Sequence, residues 1–282
     1  MREIPKVIHY CWFGRNPLSE MEKRCIESWK KYFPEYEIKE WNEDNFDVHR
    51  IAYTKEAYER KKYAFVSDYA RFWILYHYGG VYFDTDVEVL RSFEPILKHG
   101  AYMGCERDAE AGHKSDGEMR QGAGITVAPG LGMAAVPGME IIQTILKSYE
   151  AIHFVKENGE VDTDTVVAKT TRILLQAGLK NKPGIQEVAG VTIYPQIYFC
   201  PDEKARMNGT YDSKTFSAHH YSASWRDRDF NRRLKKPVWK KFFMVCGKAG
   251  KLAGKVLGEK RWSKIRDRYF KRMYNFVRGV RE

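Results

Sequence analysis

A chain of 282 residues, 43% hydrophobic and 14% aromatic, is long enough for one large α/β domain or for a domain with an appendage. Its net charge of +11 is uneven: residues 235–282 hold sixteen Lys and Arg against three acidic residues, leaving 32 basic and 34 acidic residues elsewhere. This balance argues against a nucleic-acid-binding stripe on the main domain, and no run of eighteen apolar residues predicts a membrane span.

In chain order, Ile4 to Gly14 reads as a buried strand ending in a turn. Ser19 to Phe33 has helical spacing, with Ser19 and Glu22 forming a capping box and Pro34 as the stop. Tyr36 to Asn42 alternates as a second strand, so the chain opens with a βαβ unit and a parallel sheet. Ala64 to Tyr78 reads as a helix closed by Gly79-Gly80; Val81-Tyr82-Phe83 then enters a strand, Asp84-Thr85-Asp86 interrupts it, and Val87 to Leu90 resumes extended structure. Gly122 to Gly138 predicts a strand and a close-packed loop. Met139 to Phe154 and Thr163 to Ala177 predict helices, the second ended by Gly178. Val191 to Tyr194 and Ile197 to Phe199 predict short strands broken by Pro195. The main domain is expected over residues 1–234 and a helical basic tail over 235–282.

The chemistry concentrates at Asp84 and Asp86. Two aspartates at the end of an apolar, aromatic strand repel one another unless a cation or a donor network stands between them. Mg2+ or Mn2+ bridging a diphosphate answers this, because such ions take one or two carboxylates and fill the remaining positions with phosphate and water. Asp68 and Arg71 sit three apart on one helix face, read either as a local ion pair or as a face turned into the cleft. His219 and His220, followed by Ser222, Ser224 and Trp225, form a late polar cluster, and either imidazole could complete the ion's shell.

Three segments together resemble the DXD-containing glycosyltransferases of family 32. They are Ile4 to Trp12, Ser67 to Arg71 running into Gly79 to Asp86, and His219-His220 ahead of Ser224-Trp225. The resemblance implies an α/β fold of the GT-A type: a Rossmann-like mixed sheet flanked by helices. It also implies transfer with retention from a nucleotide sugar, with UDP-sugars favoured, onto a glycan or polyisoprenyl-diphosphate-linked acceptor, as in capsular and surface polysaccharide synthesis. By motif position Trp12 borders the base and Asn42 touches it; Asp68 takes ribose or sugar hydroxyls and Arg71 the donor sugar. Tyr82 lines the nucleotide pocket, while Asp84 and Asp86 hold the ion with His220 at the late-chain position. Ser224 and Trp225 lie near the phosphates. Acceptor contacts are expected around Glu106, Asp108, Asp116 and Gln121. No catalytic base is assigned, because retaining enzymes of this fold often use the departing phosphate.

The tail pairs its basic residues with Ile265, Tyr269, Phe270, Met273, Phe276 and Val277 at helical spacing, which suits an anionic membrane surface. Five scattered cysteines fit neither a zinc spacing nor a disulfide framework, and an N-terminus without an apolar stretch lacks a secretion signal. The expectation is therefore a cytoplasmic enzyme, peripheral at the inner face of the membrane. Two other classes compete: a non-catalytic membrane- or nucleic-acid-binding protein, and a nucleotidyltransferase of related fold. The first leaves the Asp84–Asp86 strand idle, and the second needs a Gly-rich N-terminal phosphate loop that Trp12-Phe13-Gly14 does not provide.

Overall fold

The computed structural model describes residues 3–109, 124–162 and 164–221. The opening βαβ unit forms as expected: β1 (Val7–Cys11), α1 (Glu20–Tyr32) and β2 (Glu37–Trp41). The Ser19–Glu22 capping box is present at the start of α1. After α2 (Ala52–Glu59), which the sequence reading missed, α3 (Tyr63–Tyr78) leads into β3 (Gly80–Tyr82) and, past the aspartates, β4 (Val87–Val89). There follow α4 (Glu94–Leu97), β5 (Tyr102–Arg107), β6 (Thr126–Val127), β7 (Met133–Ala135), α5 (Glu140–Glu150) and α6 (Val166–Gln176). β8 (Gln186–Val188), β9 (Val191–Tyr194), α7 (Glu203–Asn208) and β10 (Ser217–His219) complete the described chain.

The main sheet runs β2-β1-β3-β7-β5-β9-β8, with β6 paired to β5. β2, β1 and β3 are parallel, as the opening βαβ unit predicts, and β7 then enters antiparallel to both β3 and β5, which gives the mixed sheet expected. Its alternating side chains feed two cores. Ile8, Tyr10, Val81, Phe83 and Tyr102 join Trp29 and Phe33 on the α1 face. Cys11, Tyr82 and Met103 join Phe72, Leu75 and Ile145 on the face covered by α3 and α5.

Two predicted elements need correction. Ile197 to Phe199 is not a strand: Gln196–Tyr198 forms a 3-10 turn, closed by Tyr198 N–H donating to Pro195 O (3.1 Å) and Cys200 N–H to Gln196 O (2.8 Å). Phe199 is consequently turned inward, stacked on Phe93 with ring centroids 5.7 Å apart. The helix expected from Thr163 starts at Val166, because the Thr165 hydroxyl caps Ala168 N–H.

The α3–β3 junction depends on its two glycines. Both have left-handed φ (64° and 98°), and a Cβ at Gly79 would lie 2.6 Å from Pro137 Cδ, one at Gly80 2.6 Å from the Val7 carbonyl oxygen. Only hydrogen at both positions lets the chain turn from helix into a strand pressed against β1. His9, 2% exposed, holds the turn: Nε2 donates to Gly79 O (3.0 Å), while Nδ1 accepts from the Trp41 indole (3.1 Å). The Trp41 bond requires an unprotonated Nδ1, hence the neutral ring with its hydrogen on Nε2, whereas the Gly79 bond forms in either charge state. Burial accordingly drives the His9 pKa down to about 4, the Gly79 bond opposing and Lys39 assisting.

Because the folded pKa lies below the ordinary 6.5, the His9 contribution is complete above pH 6.5 and is lost as pH falls through about 4. The expected loss is on the order of 3 kcal/mol. Chemical denaturation at pH 7 and pH 4.5 should show a smaller pH-dependent drop for His9→Gln than for the parent chain.

Candidate active site

Parallel pairing sets the C-terminal ends of β2, β1 and β3 side by side, so Asn42, Trp12 and Asp84 fall along one sheet edge. Open α/β sheets bind ligands at this edge. Trp12 and Asn42 line a common pocket of about 370 Å³ with Arg15, Asn16, Glu40 and Glu43. Their polar groups are also used locally: the Trp12 indole donates to Asn16 O, and Asn42 Oδ1 accepts from Asp44 N–H (2.9 Å).

Asp84 is held from three directions. The Tyr82 hydroxyl donates to its Oδ1 at 3.0 Å. Arg71 reaches both its oxygens, Nη2 to Oδ1 at 3.2 Å and Nη1 to Oδ2 at 3.4 Å. The 3-10 turn Pro129–Leu131 closes over it, with Asp84 N–H donating to Gly130 O at 3.3 Å. A Cβ at Gly130 would lie 2.1 Å from Asp84 Oδ2, so this turn seats the carboxylate. Tyr82, 1% exposed and with its ring centre 5.0 Å from the Arg71 guanidinium, acts on the site through Asp84 rather than as an open pocket wall.

Asp68 and Arg71 are 8% and 4% exposed, so the exposed ion pair is excluded. Arg71 Nη2 meets Asp68 Oδ1 at 3.2 Å as well as Asp84, and Nε donates to Ser67 O at 3.0 Å. One guanidinium thus ties α3 to the end of β3. Burial pushes the Asp68 carboxyl up to about 6 while Arg71 pulls it down. For Arg71, burial works against the charge, yet Asp84, Tyr82 and Asp68 together raise its pKa above the ordinary value.

β10 pairs antiparallel with β4, His219 opposite Val87. This brings His219 Nε2 to 3.1 Å from Asp86 Oδ1. Burial disfavours a charge on His219, but the Asp86 carboxylate outweighs it and raises the pKa. His220, the expected ligand, faces elsewhere: its Nε2 lies 2.8 Å from Glu88 Oε2. Of the two histidines, His219 is the one whose ring nitrogen converges with both aspartates. Ligand atoms of Asp84, Asp86 and His219 all lie within 4.8 Å of one another, a set of two carboxylates and an imidazole that fits Mn2+ or Mg2+.

Glu106 is the penultimate residue of β5, on the same edge, and accepts from the Tyr221 hydroxyl at 3.4 Å. Asp108 instead holds the 3-10 turn, its Oδ1 accepting Gln196 N–H at 2.8 Å. Asp116, Gln121, Ser224, Trp225 and the tail lie outside the described residues. Sequence reasoning did not single out Gly130, although the small-residue stretch around it signalled a close-packed loop. The described cysteines Cys11, Cys25, Cys105 and Cys200 are free and buried, and burial lifts the first three thiols to about 12, so they offer no reactive thiolate. No described helix is long and apolar enough to cross a membrane.

Residues 19–103 match the family model described as a glycosyltransferase sugar-binding region containing a DXD motif. The match includes Asp68, Arg71, Tyr82, Asp84 and Asp86 and stops short of His219. Inositol phosphoceramide mannosyltransferase 1 of Schizosaccharomyces pombe is 27% identical over 114 residues, 36% of this chain and 34% of that protein. Inositol phosphoceramide mannosyltransferase 3 of the same yeast is 32% identical over 108 residues, 36% and 29%. The chain thus spans about a third of the length of the curated relatives it matches. Among solved structures, the galactosyltransferase LgtC in complex with donor and acceptor sugar analogues is 14% identical, covering 86% of this chain and 95% of that one, with a TM-score of 0.41.

Titration of the purified chain with Mn2+ tests these placements. His219→Ala and Gly130→Ala should each weaken binding tenfold or more, the second by displacing Asp84, whereas His220→Ala should stay within about twofold.

Proposed function

We propose that the chain is a glycosyltransferase that moves a hexosyl or N-acetylhexosaminyl group from a nucleoside-diphosphate sugar to a glycan or lipid-linked acceptor. The observation that carries this reading is the convergence of Asp84, Asp86 and His219 beside Arg71, within a region that matches a DXD sugar-binding family. A bound Mn2+ or Mg2+ would supply positive charge for the diphosphate leaving group. Asp84, Asp86 and His219 are the residues that would hold it.

The chain's own groups then have distinct tasks. Arg71, fixed between Asp68 and Asp84, presents a pre-set guanidinium to the donor without reorganisation. Asp68 accepts hydrogen bonds from sugar or ribose hydroxyls. Trp12 and Asn42 border the base, consistent with their shared pocket at the ends of β1 and β2. The acceptor hydroxyl approaches from the β5 end, where Glu106 stands, and gives its proton to the departing phosphate as the sugar transfers with retention.

For the donor nucleotide, the resemblance to family 32 favours UDP, while the names of the yeast relatives point to a mannosyl group. Release of nucleoside diphosphate should be measured with UDP-glucose, UDP-galactose, UDP-N-acetylglucosamine and GDP-mannose in the presence of Mn2+. One donor should be cleaved, and Asp86→Asn should lower the rate by about a hundredfold or more. No cleavage of any donor, or cleavage unchanged by the substitution, overturns the reading.

The basic tail is proposed to hold the enzyme on an anionic inner-leaflet surface, next to a polyisoprenyl-diphosphate acceptor. The full chain should sediment with phosphatidylglycerol vesicles and a chain ending at residue 234 should not. Equal sedimentation of the two removes the tail from this role.

A further inference from the structure

Strand pairing fixes the backbone of His219 but not its ring. β10 pairs with β4, and His220 N–H donates to Asp86 O at 2.9 Å, so the ladder carries one residue past β10. A ligating histidine is ordinarily oriented by a hydrogen bond from its second ring nitrogen. Among the described residues, the buried Nδ1 of His219 has no such partner. The imidazole that faces Asp86 is therefore held by packing.

Tyr221 supplies that packing. Its ring meets the imidazole edge to face, with centroids 4.1 Å apart and planes at 77°. Side chains two residues apart on an extended strand stand about 6–7 Å apart, so this contact needs a bend. Tyr221 provides it with φ of 50°, in the left-handed region. A residue other than glycine costs roughly 1–2 kcal/mol there, and such strain persists only where the surroundings over-determine it. The ring stays 40% exposed, so the bend is not a route into the core.

Three side chains impose the conformation. Cys200 Sγ, buried just after the 3-10 turn, lies 3.0 Å from the phenol oxygen. The same hydroxyl reaches Glu106 Oε1 of β5 at 3.4 Å. The Arg206 guanidinium centre sits 5.0 Å from the Tyr221 ring centre, while its Nη1 donates to His219 O at 2.9 Å. One arginine of α7 thus grips both the backbone of His219 and the ring packed on its imidazole.

We infer that Tyr221 is a positioning residue for the cation site: it braces the His219 imidazole against rotating away from Asp86, and acts on a bound cation through that ring. The anchors at Cys200 and Glu106 make the brace rigid, and they give a buried cysteine a task other than thiolate chemistry. This inference rests on the proposed function, since it needs His219 to be a cation ligand.

The test uses the full chain with Mn2+ alone as the probe. Tyr221→Gly removes the ring and suits the left-handed backbone, whereas Tyr221→Phe keeps the ring and loses only the hydroxyl. Tyr221→Gly should weaken Mn2+ binding about tenfold and diminish the imidazole-nitrogen modulation in the pulsed EPR of the bound ion. Tyr221→Phe should restore most of both. In a His219→Ala background, Tyr221→Gly should change the affinity by less than about twofold, because the ring through which it acts is gone. A tenfold loss that persists without His219, or an affinity and nitrogen signal that do not change, overturns the inference. Should Tyr221→Gly fail to fold, Tyr221→Asn, which also tolerates the left-handed region, takes its place with the same expectations. If the parent chain binds no Mn2+, or His219→Ala binds it as well as the parent, the proposed cation site itself fails and this inference falls with it.

Discussion

A buried guanidinium organises this molecule. Arg71 has lost its water and recovers the energy through Asp68 on its own helix, Asp84 on the next strand and the Ser67 carbonyl. Removing one partner from a buried ion pair costs about 3–5 kcal/mol, so the register between α3 and β3 cannot slip without unpairing a charge. The Gly79–Gly80 turn, the His9 bridge to Gly79 and the inward-facing Tyr82 all serve that same register. The fixed arginine in turn holds Asp84 at the end of β3.

Under the proposed function, the sheet edge separates recognition from reaction. Trp12 and Asn42 lie at the ends of β1 and β2, the acidic pair follows β3, and Glu106 lies at the end of β5 beyond the antiparallel β7. Strands in a sheet are about 4.8 Å apart, so this edge is wide enough for the nucleotide of the proposed donor, with its diphosphate near the aspartates. α1 supports the arrangement from beneath: the Trp29 indole donates to Val87 O at 2.8 Å, and Ser28 Oγ accepts Val89 N–H at 2.9 Å. These bonds steady the strand that leaves Asp86.

Local signals explain why so much was legible in the sequence. The capping box at Ser19, the glycine pair at 79–80, the apolar run of β1 and the alternation of β2 each act within a few residues, and each appears where the pattern puts it. Asp84 and Asp86 could be read because an apolar strand delivers them. Contacts distant in sequence were not legible. Nothing near His219 says that it pairs across to Val87, so the choice between two adjacent histidines required knowing which strand β10 joins. The insertion of β7 against β3, which seats Gly130 on Asp84, is likewise set by topology. Pro195 was correctly read as a break, but the segment after it is too short to distinguish a strand from a single helical turn.

The pairing of β10 with β4 also bears on how the protein matures. Asp86 and the imidazole that meets it are 133 positions apart in the sequence, joined by a two-stranded ribbon of three residues on each side. A growing chain therefore acquires its acidic pair long before it can close the ligand set. Such long-range closures form late and slowly, because the loop entropy must be overcome before the contact can form. Under the proposed function, competence to hold a cation is thus a property of the finished fold, and a truncated or incompletely folded chain has the motif without the grip.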